Sequence, residues 1–176
     1  MSIYKKFNED ISVIKVSDRN FTANISENWS IGQTANGGYS MAIIAKACSE
    51  YLNHKDPLVI SANYLERVEF GPADIEIFKI SSSKSTSTAS ITLKQKGIIK
   101  IFATATFTDF SKMKGINEKL REEPIFDSYE DCIQVPYKEG FNPKLDKNLE
   151  KKYCLDSIWS VSYTHLTLPT IGGVGV

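Results

Sequence analysis

The chain has 176 residues and a mass of 19.7 kDa, room for one medium domain with a tail and too little for two full α/β domains. Twenty-one Lys and Arg balance twenty-one Asp and Glu, so the charge argues against a general nucleic-acid binder and against a protein held to anionic membranes by charge. No apolar run approaches the roughly 18 residues of a membrane span, and Met1-Ser2-Ile3-Tyr4-Lys5-Lys6 has charge without the apolar core of a secretion signal, so a cytoplasmic location is expected.

In chain order, Ile11 to Val16 alternates, Ser17-Asp18-Arg19-Asn20 has turn composition, and Phe21 to Ile25 alternates again, which predicts a β-hairpin. Trp29 to Gly38 is rich in turn formers. A helix is expected from Gly38 to Leu52, with Met41, Ile44 and Cys48 at helical spacing and Asn36 or Thr34 as its cap. Ala42, Ile43, Ala45 and Ala47 fill much of its circumference, so it should be buried on most sides. Lys46 and Glu50 form its one wet stripe. Pro57 stops it.

Four strands follow. Leu58 to Leu65 alternates, Gly71-Pro72 breaks the chain, and Ile75 and Ile77 alternate with Asp74 and Glu76. Ala89, Ile91, Leu93 and Gln95 share one face, and after the turn at Lys96-Gly97 so do Ile99, Ile101, Ala103, Ala105 and Phe107. One sheet with one apolar face and one apolar helix predicts an α+β domain in which the sheet wraps the helix. From Asp109 the signal weakens: Ser111 to Glu123 is charged with a short helical pattern, and Pro124, Pro136, Gly140 and Pro143 punctuate a long surface connection. Leu155-Asp156-Ser157-Ile158-Trp159 reads as the start of a strand.

The last sixteen residues, Val161 to Val176, contain no charged side chain, a run expected roughly once in 80 at this composition. Val161-Ser162-Tyr163-Thr164-His165-Leu166-Thr167-Leu168-Pro169-Thr170 is the translation of GTC TCT TAT ACA CAT CTG ACG CTG CCG ACG, one frame of a transposon end used to prepare sequencing libraries. The expectation is a non-native tail over 161–176, with a natural gene that diverges after Ser160.

Little chemistry is available from cysteine and histidine. Cys48, Cys132 and Cys154 are far apart and odd in number, which argues against a disulfide framework or a zinc site. His54 sits in a polar turn and reads as a surface residue. The sharpest local feature is Asn36-Gly37-Gly38-Tyr39 at the helix start. Two glycines let a ligand approach the backbone, and the first amides of a helix are unpaired donors on the positive end of its dipole. Such a turn can polarise a carbonyl and hold an oxyanion, but paired glycines alone are a weak signal, and a plain helix start needing an unusual φ is the commoner origin of such a sequence. No P-loop or dinucleotide fingerprint is present. Trp29 can line an acyl pocket or fill the core, and Asn63 and Arg67 interrupt an apolar strand where either can meet a polar ligand or water.

Trp29-Ser30-Ile31-Gly32, Asn36-Gly37-Gly38-Tyr39, Ile60-Ser61-Ala62-Asn63-Tyr64-Leu65, Gly71-Pro72-Ala73, Ser85-Thr86-Ser87 and Ala103-Thr104-Ala105-Thr106-Phe107 resemble, in order and spacing, the N-terminal hot-dog domain of the type II acyl-CoA thioesterase-like superfamily. The resemblance covers about Asn8 to Tyr137. It implies a long helix wrapped by an antiparallel sheet, one copy of a double hot dog: 1–110 as the first hot-dog domain and 111–160 as the connection toward a second. It implies hydrolysis of acyl-CoA thioesters without a metal or redox cofactor, with Gly37 and Gly38 as backbone oxyanion donors and Trp29, Asn36, Tyr39 and Asn63 on the substrate. Many hot-dog thioesterases carry an acid midway along the helix; here Ile43, Ile44, Ala45 and Ala47 stand there, and Glu50 is the only acid, near the end. The type II family places its activating Asp in the second hot dog. The expected partners are therefore acyl-CoA and a second hot-dog domain or another copy of the chain, with no nucleic acid and no membrane. The alternative is a catalytically silent module that binds acyl thioesters or serves in pairing. A hot-dog hydratase is disfavoured, because His54 lacks the Asp-His setting of that chemistry.

Overall fold

A computed structural model describes residues 3–115 and 128–153, the side chains of residues 3–5 excepted. The expected strand at Leu155–Trp159, the tail from Val161 and the part of the Ser111–Glu123 helix beyond Gly115 lie outside the described residues. The chain divides into two compact units, Met1–Gly115 with Pro143–Asn148, and Ile116–Asn142 with Leu149–Val176. The sequence reading assigned Pro143–Asn148 to the connection; it packs on the first unit.

The first unit opens with α1 (Ile3–Asp10), which the sequence pattern did not reveal. The expected hairpin follows as β1 (Val13–Lys15) and β2 (Asn20–Ile25), with Val13 opposite Ala23. After a single turn of 3-10 helix at Glu27–Trp29, β3 (Ser30–Ile31) and β4 (Thr34–Ala35) form a small ladder within the segment read as loop. Then come α2 (Gly37–Tyr51), β5 (Asp56–Tyr64), β6 (Gly71–Ser82), β7 (Thr86–Gln95) and β8 (Ile98–Thr108). Six strands make one antiparallel sheet in the order β1-β2-β6-β7-β8-β5, so β1 and β5 are its edges. The second unit contains the described two-strand ladder β9 (Ile133–Gln134) with β10 (Lys152–Tyr153).

The sheet takes its register from alternation. Every second residue of β7 is buried, from Ser87 through Ala89, Ile91 and Leu93 to Gln95, as a central strand with one core face requires. Helix α2 lies on that face and buries Tyr39, Ser40, Ile43, Ile44, Ala47 and Cys48, a stripe at the 3-4 spacing of one helix side. Ile43, Ile44 and Phe107 are fully enclosed, each such side chain stabilising the fold by about 1.5–3 kcal/mol. The other side of α2 is only half covered within this unit: Met41, Ala42, Ala45 and Lys46 are intermediate, and Lys46 pairs with Glu50 at 3.1 Å as its spacing suggested. No helix among the described residues is long and apolar enough to cross a membrane.

Two expectations change. Gly71-Pro72 does not break the chain but begins β6, with Pro72 opposite Asn24; a proline is tolerated at the start of a strand, where its missing N–H is least needed. Ile99 leaves the apolar face. The β7–β8 register slips between Leu93↔Ile101 and Lys94↔Ile99, so Lys100 is an extra residue in the ladder. That bulge reverses the alternation, turns Ile99 out to 39% exposure and turns Lys100 in to 6%.

Candidate thioester site at the start of the long helix

Asn36 has extended backbone angles, and its side-chain oxygen accepts the Tyr39 amide at 3.2 Å while its carbonyl accepts the Ser40 amide at 3.0 Å. This is an N-cap, and it consumes the third and fourth amides of the turn. Among the described residues the Gly37 and Gly38 amides have no acceptor. They are the donors the sequence singled out, and the helix dipole adds positive potential there. Neither glycine has a positive φ, so the unusual-backbone explanation does not apply. Gly37 is crowded instead: a Cβ on it would sit 3.1 Å from Cζ and the hydroxyl of Tyr64, so the ring would have to give by a few tenths of an ångström. Tyr64 donates its hydroxyl to the Gly37 carbonyl at 2.8 Å.

The turn opens on a cleft of about 440 Å³, lined by Thr34, Ala35, Gly37, Ser40 and the segment from Tyr64 to Val68. Its far wall is the β5–β6 connection, held from below by buried polar groups. The Lys100 carbonyl accepts the Leu65 and Glu66 amides at 2.9 and 3.1 Å, and Lys100 Nζ reaches Glu66 Oε2 at 3.1 Å. Gln95, 3% exposed, accepts the Glu69 amide and donates to the Glu69 and Pro72 carbonyls. The Val68 carbonyl accepts the Ala35 amide at 3.1 Å, tying this wall to β4.

Trp29 and Tyr39 do not line the cleft; they sit under the turn. Trp29 is 4% exposed, meets Phe7 edge-on at 4.9 Å between centroids, stacks on Tyr39 at 6.1 Å and donates Nε1–H to Asp10 Oδ2 at 2.8 Å. The Tyr39 hydroxyl donates to the Asp10 carbonyl at 2.7 Å and accepts the Ser26 amide at 3.0 Å. Asn28 Nδ2 also reaches Asp10 Oδ2, at 3.0 Å. The segment Lys144–Asn148 closes this network from outside, with Asn148 bonded to Lys6 and to the Asn28 carbonyl and Lys144 to Glu27. Asn63 stands exposed on edge strand β5 opposite Phe102, and by alternation its side chain leaves the face that carries Tyr64. The structure thus brings Asn36, Gly37 and Gly38 together with Tyr64 and Arg67, sets Trp29 and Tyr39 beneath them, and leaves Asn63 apart.

Asp10, Tyr64 and Lys100 went unrecognised in the sequence. Lys100 did leave a signal, a lone cation among Ile98, Ile99 and Ile101. At the other end of α2, His54 is less idle than a surface residue: Nδ1 lies 2.8 Å from Ser87 Oγ and Nε2 3.2 Å from the Lys84 carbonyl. A carbonyl only accepts, which places the proton on Nε2.

Burial pushes the Tyr39 hydroxyl up to about 12, with the Ser26 amide pulling it down and the Asp10 charge adding a little, and burial alone pushes the Cys48 thiol up to about 12. Cys48 is therefore no nucleophile at neutral pH. Both folded values exceed the ordinary 10.0 and 9.0, so the stability they carry is complete below pH 9 and is lost as the pH climbs toward 12. Tyr39→Phe should flatten that decline above pH 10, and Cys48→Ala should flatten it above pH 9, in urea melts taken across this range. A decline of unchanged slope in both variants contradicts the assignment.

The architecture, an antiparallel sheet curled about one long helix, is a hot-dog fold. Residues 25–108 match the family described as the acyl-CoA thioesterase N-terminal domain. A candidate thioesterase II of Thermobifida fusca YX superposes with a TM-score of 0.77 at 18% identity, over 93% of this chain and 60% of that one. A hot-dog protein of unknown function from Alicyclobacillus acidocaldarius gives 0.69 at 18% identity, over 80% and 52%. The thioesterase-like protein TwmA of Talaromyces wortmannii is 28% identical over 96 residues, which is 53% of this chain and 28% of that protein. The chain thus spans less than two thirds of the length of each of these three proteins.

Proposed function

We propose that the domain binds acyl-CoA thioesters with the thioester oxygen at the Gly37 and Gly38 amides, and that it supplies the oxyanion end of a hydrolase whose water-activating carboxylate comes from a second hot-dog domain. The observation that carries this reading is the pair of uncommitted amides at the start of α2, where Gly37 lines the cleft and Gly38 follows it in the chain. Trp29, Asn36 and Tyr39 serve the substrate by fixing that turn. Helix α2 supports the second half of the proposal: its middle positions, Ile43, Ile44 and Ala47, are fully buried and apolar, and Glu50 is paired with Lys46. No metal or redox cofactor enters this chemistry.

The test is thiol release from a panel of acyl-CoA esters together with calorimetric binding of the same esters. Binding without turnover above the spontaneous rate is expected. Turnover by the chain alone in the ordinary enzymatic range of roughly 1–10³ s⁻¹ overturns the assignment of the base, and no binding at all overturns the substrate.

The pairing partner, a second hot-dog domain or another copy of this chain, meets the open edge of β5. Leu58, Val59, Tyr64 and Leu65 are exposed there, along with Asn63, and the half-covered apolar side of α2 adds to that surface. Concentration-dependent self-association is expected in sedimentation, weakened by Val59→Lys. A monodisperse monomer at high concentration counts against it.

A further inference from the structure

The far wall of the cleft carries three charges in an arrangement that the oxyanion reading does not use. Glu66 is the one carboxylate among the lining residues, and Lys100 neutralises it from behind at 3.1 Å. Lys100 is not there by accident of exposure: its side chain is 7% exposed while that of Glu66 is 55% exposed. A buried ammonium is costly to keep unless it is paired and hydrogen-bonded. The bulge in β8 is what brings it inside. Arg67, next in the chain, also lines the cleft and has no acceptor or ion pair among the described residues. The hydroxyls of Tyr64, Ser40 and Thr34 donate to the backbone carbonyls of Gly37, Asn36 and Val68, so they offer a ligand only lone pairs. Lys100 and Arg67 against Glu66 leave one positive charge, and Arg67 is the side chain with donors to spare.

From this we infer that the Glu66–Arg67 wall is a phosphate-selective subsite: Arg67 grips the 4′-phosphate of a phosphopantetheine arm, and Lys100 is the positioning residue that keeps the Glu66 carboxylate from repelling it. The inference rests on the thioester reading of the same cleft. A guanidinium presents a planar fork that matches phosphate oxygens, and a hydrogen bond to a charged group is strong enough to give about tenfold in affinity. The shared chemistry is a phosphorylated pantetheine, carried either as CoA or as the arm of an acyl carrier protein.

The experiment compares calorimetric affinities for pantetheine, 4′-phosphopantetheine and CoA, with inorganic pyrophosphate as a fourth probe. Wild type should prefer 4′-phosphopantetheine over pantetheine by about tenfold. An equal gain with CoA assigns the subsite to the phosphate that both carriers share, and a further gain assigns it to the nucleotide form. Arg67→Ala should erase the preference and Arg67→Lys should recover part of it. Lys100→Met should reduce it, and Lys100→Met with Glu66→Gln should bring it back, an outcome that a merely structural role for Lys100 would not produce. Thermal melts confirm that each variant is folded; Arg67 is exposed, so its variants carry the test even if Lys100→Met does not fold. Equal affinity for pantetheine and its phosphate in wild type, or a preference that survives Arg67→Ala, overturns the subsite. Should no pantetheine compound bind, the thioester reading fails by itself. Pyrophosphate then decides the subsite: binding lost in Arg67→Ala upholds it, and no binding in wild type refutes it.

Discussion

Trp29→Ala is expected to lower the unfolding free energy by about 3–5 kcal/mol, the range for removing a buried aromatic. Trp29 is 4% exposed and holds ring contacts to Phe7 and Tyr39 at once. Its loss leaves a cavity and strips Asp10 of its shortest side-chain donor. The damage should reach the Gly37-Gly38 turn, because Tyr39 follows Gly38 and leans on the same indole. Trp29→Phe separates the two contributions: it retains ring area and removes the Nε1–H bond, for about 1–2 kcal/mol. Urea denaturation gives both numbers. A Trp29→Ala cost below about 1 kcal/mol, typical of surface changes, would show that the network under the turn is not a support.

The second large effect is at Gly37. A single Cβ there already meets the Tyr64 ring at 3.1 Å, so Gly37→Val forces the ring away from its bond to the Gly37 carbonyl and fills the cleft mouth. Overpacking of this kind costs about 1–3 kcal/mol in stability. Acyl-CoA affinity should fall as well, by at least about tenfold, since the methyl groups would fill the space proposed for the thioester oxygen beside the amides. Gly37→Ala should be intermediate, and Gly37→Ala with Tyr64→Ala should recover part of the affinity by removing the colliding ring. Acyl-CoA affinity unchanged in Gly37→Val would remove the turn from the binding site.

Much of this architecture was legible because the strands and the long helix announce themselves through period. In β7 the alternation from Ser87 to Gln95 survives intact in the folded domain, and in α2 the Asn36 cap appears where its spacing puts it, while of the expected stripe Ile44 and Cys48 are buried and Met41 is half-buried. The candidate turn was legible for a different reason: paired glycines beside a capping residue restrict what the backbone there can be doing. Period is also where legibility ends. In β8 the alternation carried past Ile101 to Ile99, and one bulged residue reversed it. A bulge leaves no reliable mark in composition, so Lys100 read as an outward lysine.

Helix α1 illustrates another boundary. Ile3, Tyr4 and Phe7 do fall at the spacing of one helix side, but the element is only 8 residues long, too short for that pattern to stand out in the sequence. It earns its place through contacts distant in sequence, above all Asp10 with Trp29 and Tyr39, and Lys6 with Asn148.

By itself, then, the order of residues determined the sheet-and-helix architecture, the glycine turn and the lack of a mid-helix acid, because each is a local property of spacing and side-chain type. Tertiary structure alone decided that Gly37 lies close against Tyr64, that Trp29 and Tyr39 support rather than line the cleft, and that Lys100 lies buried beside Glu66. Those facts depend on which distant segments meet, and a one-residue shift in register is enough to exchange the inside of a strand for its outside.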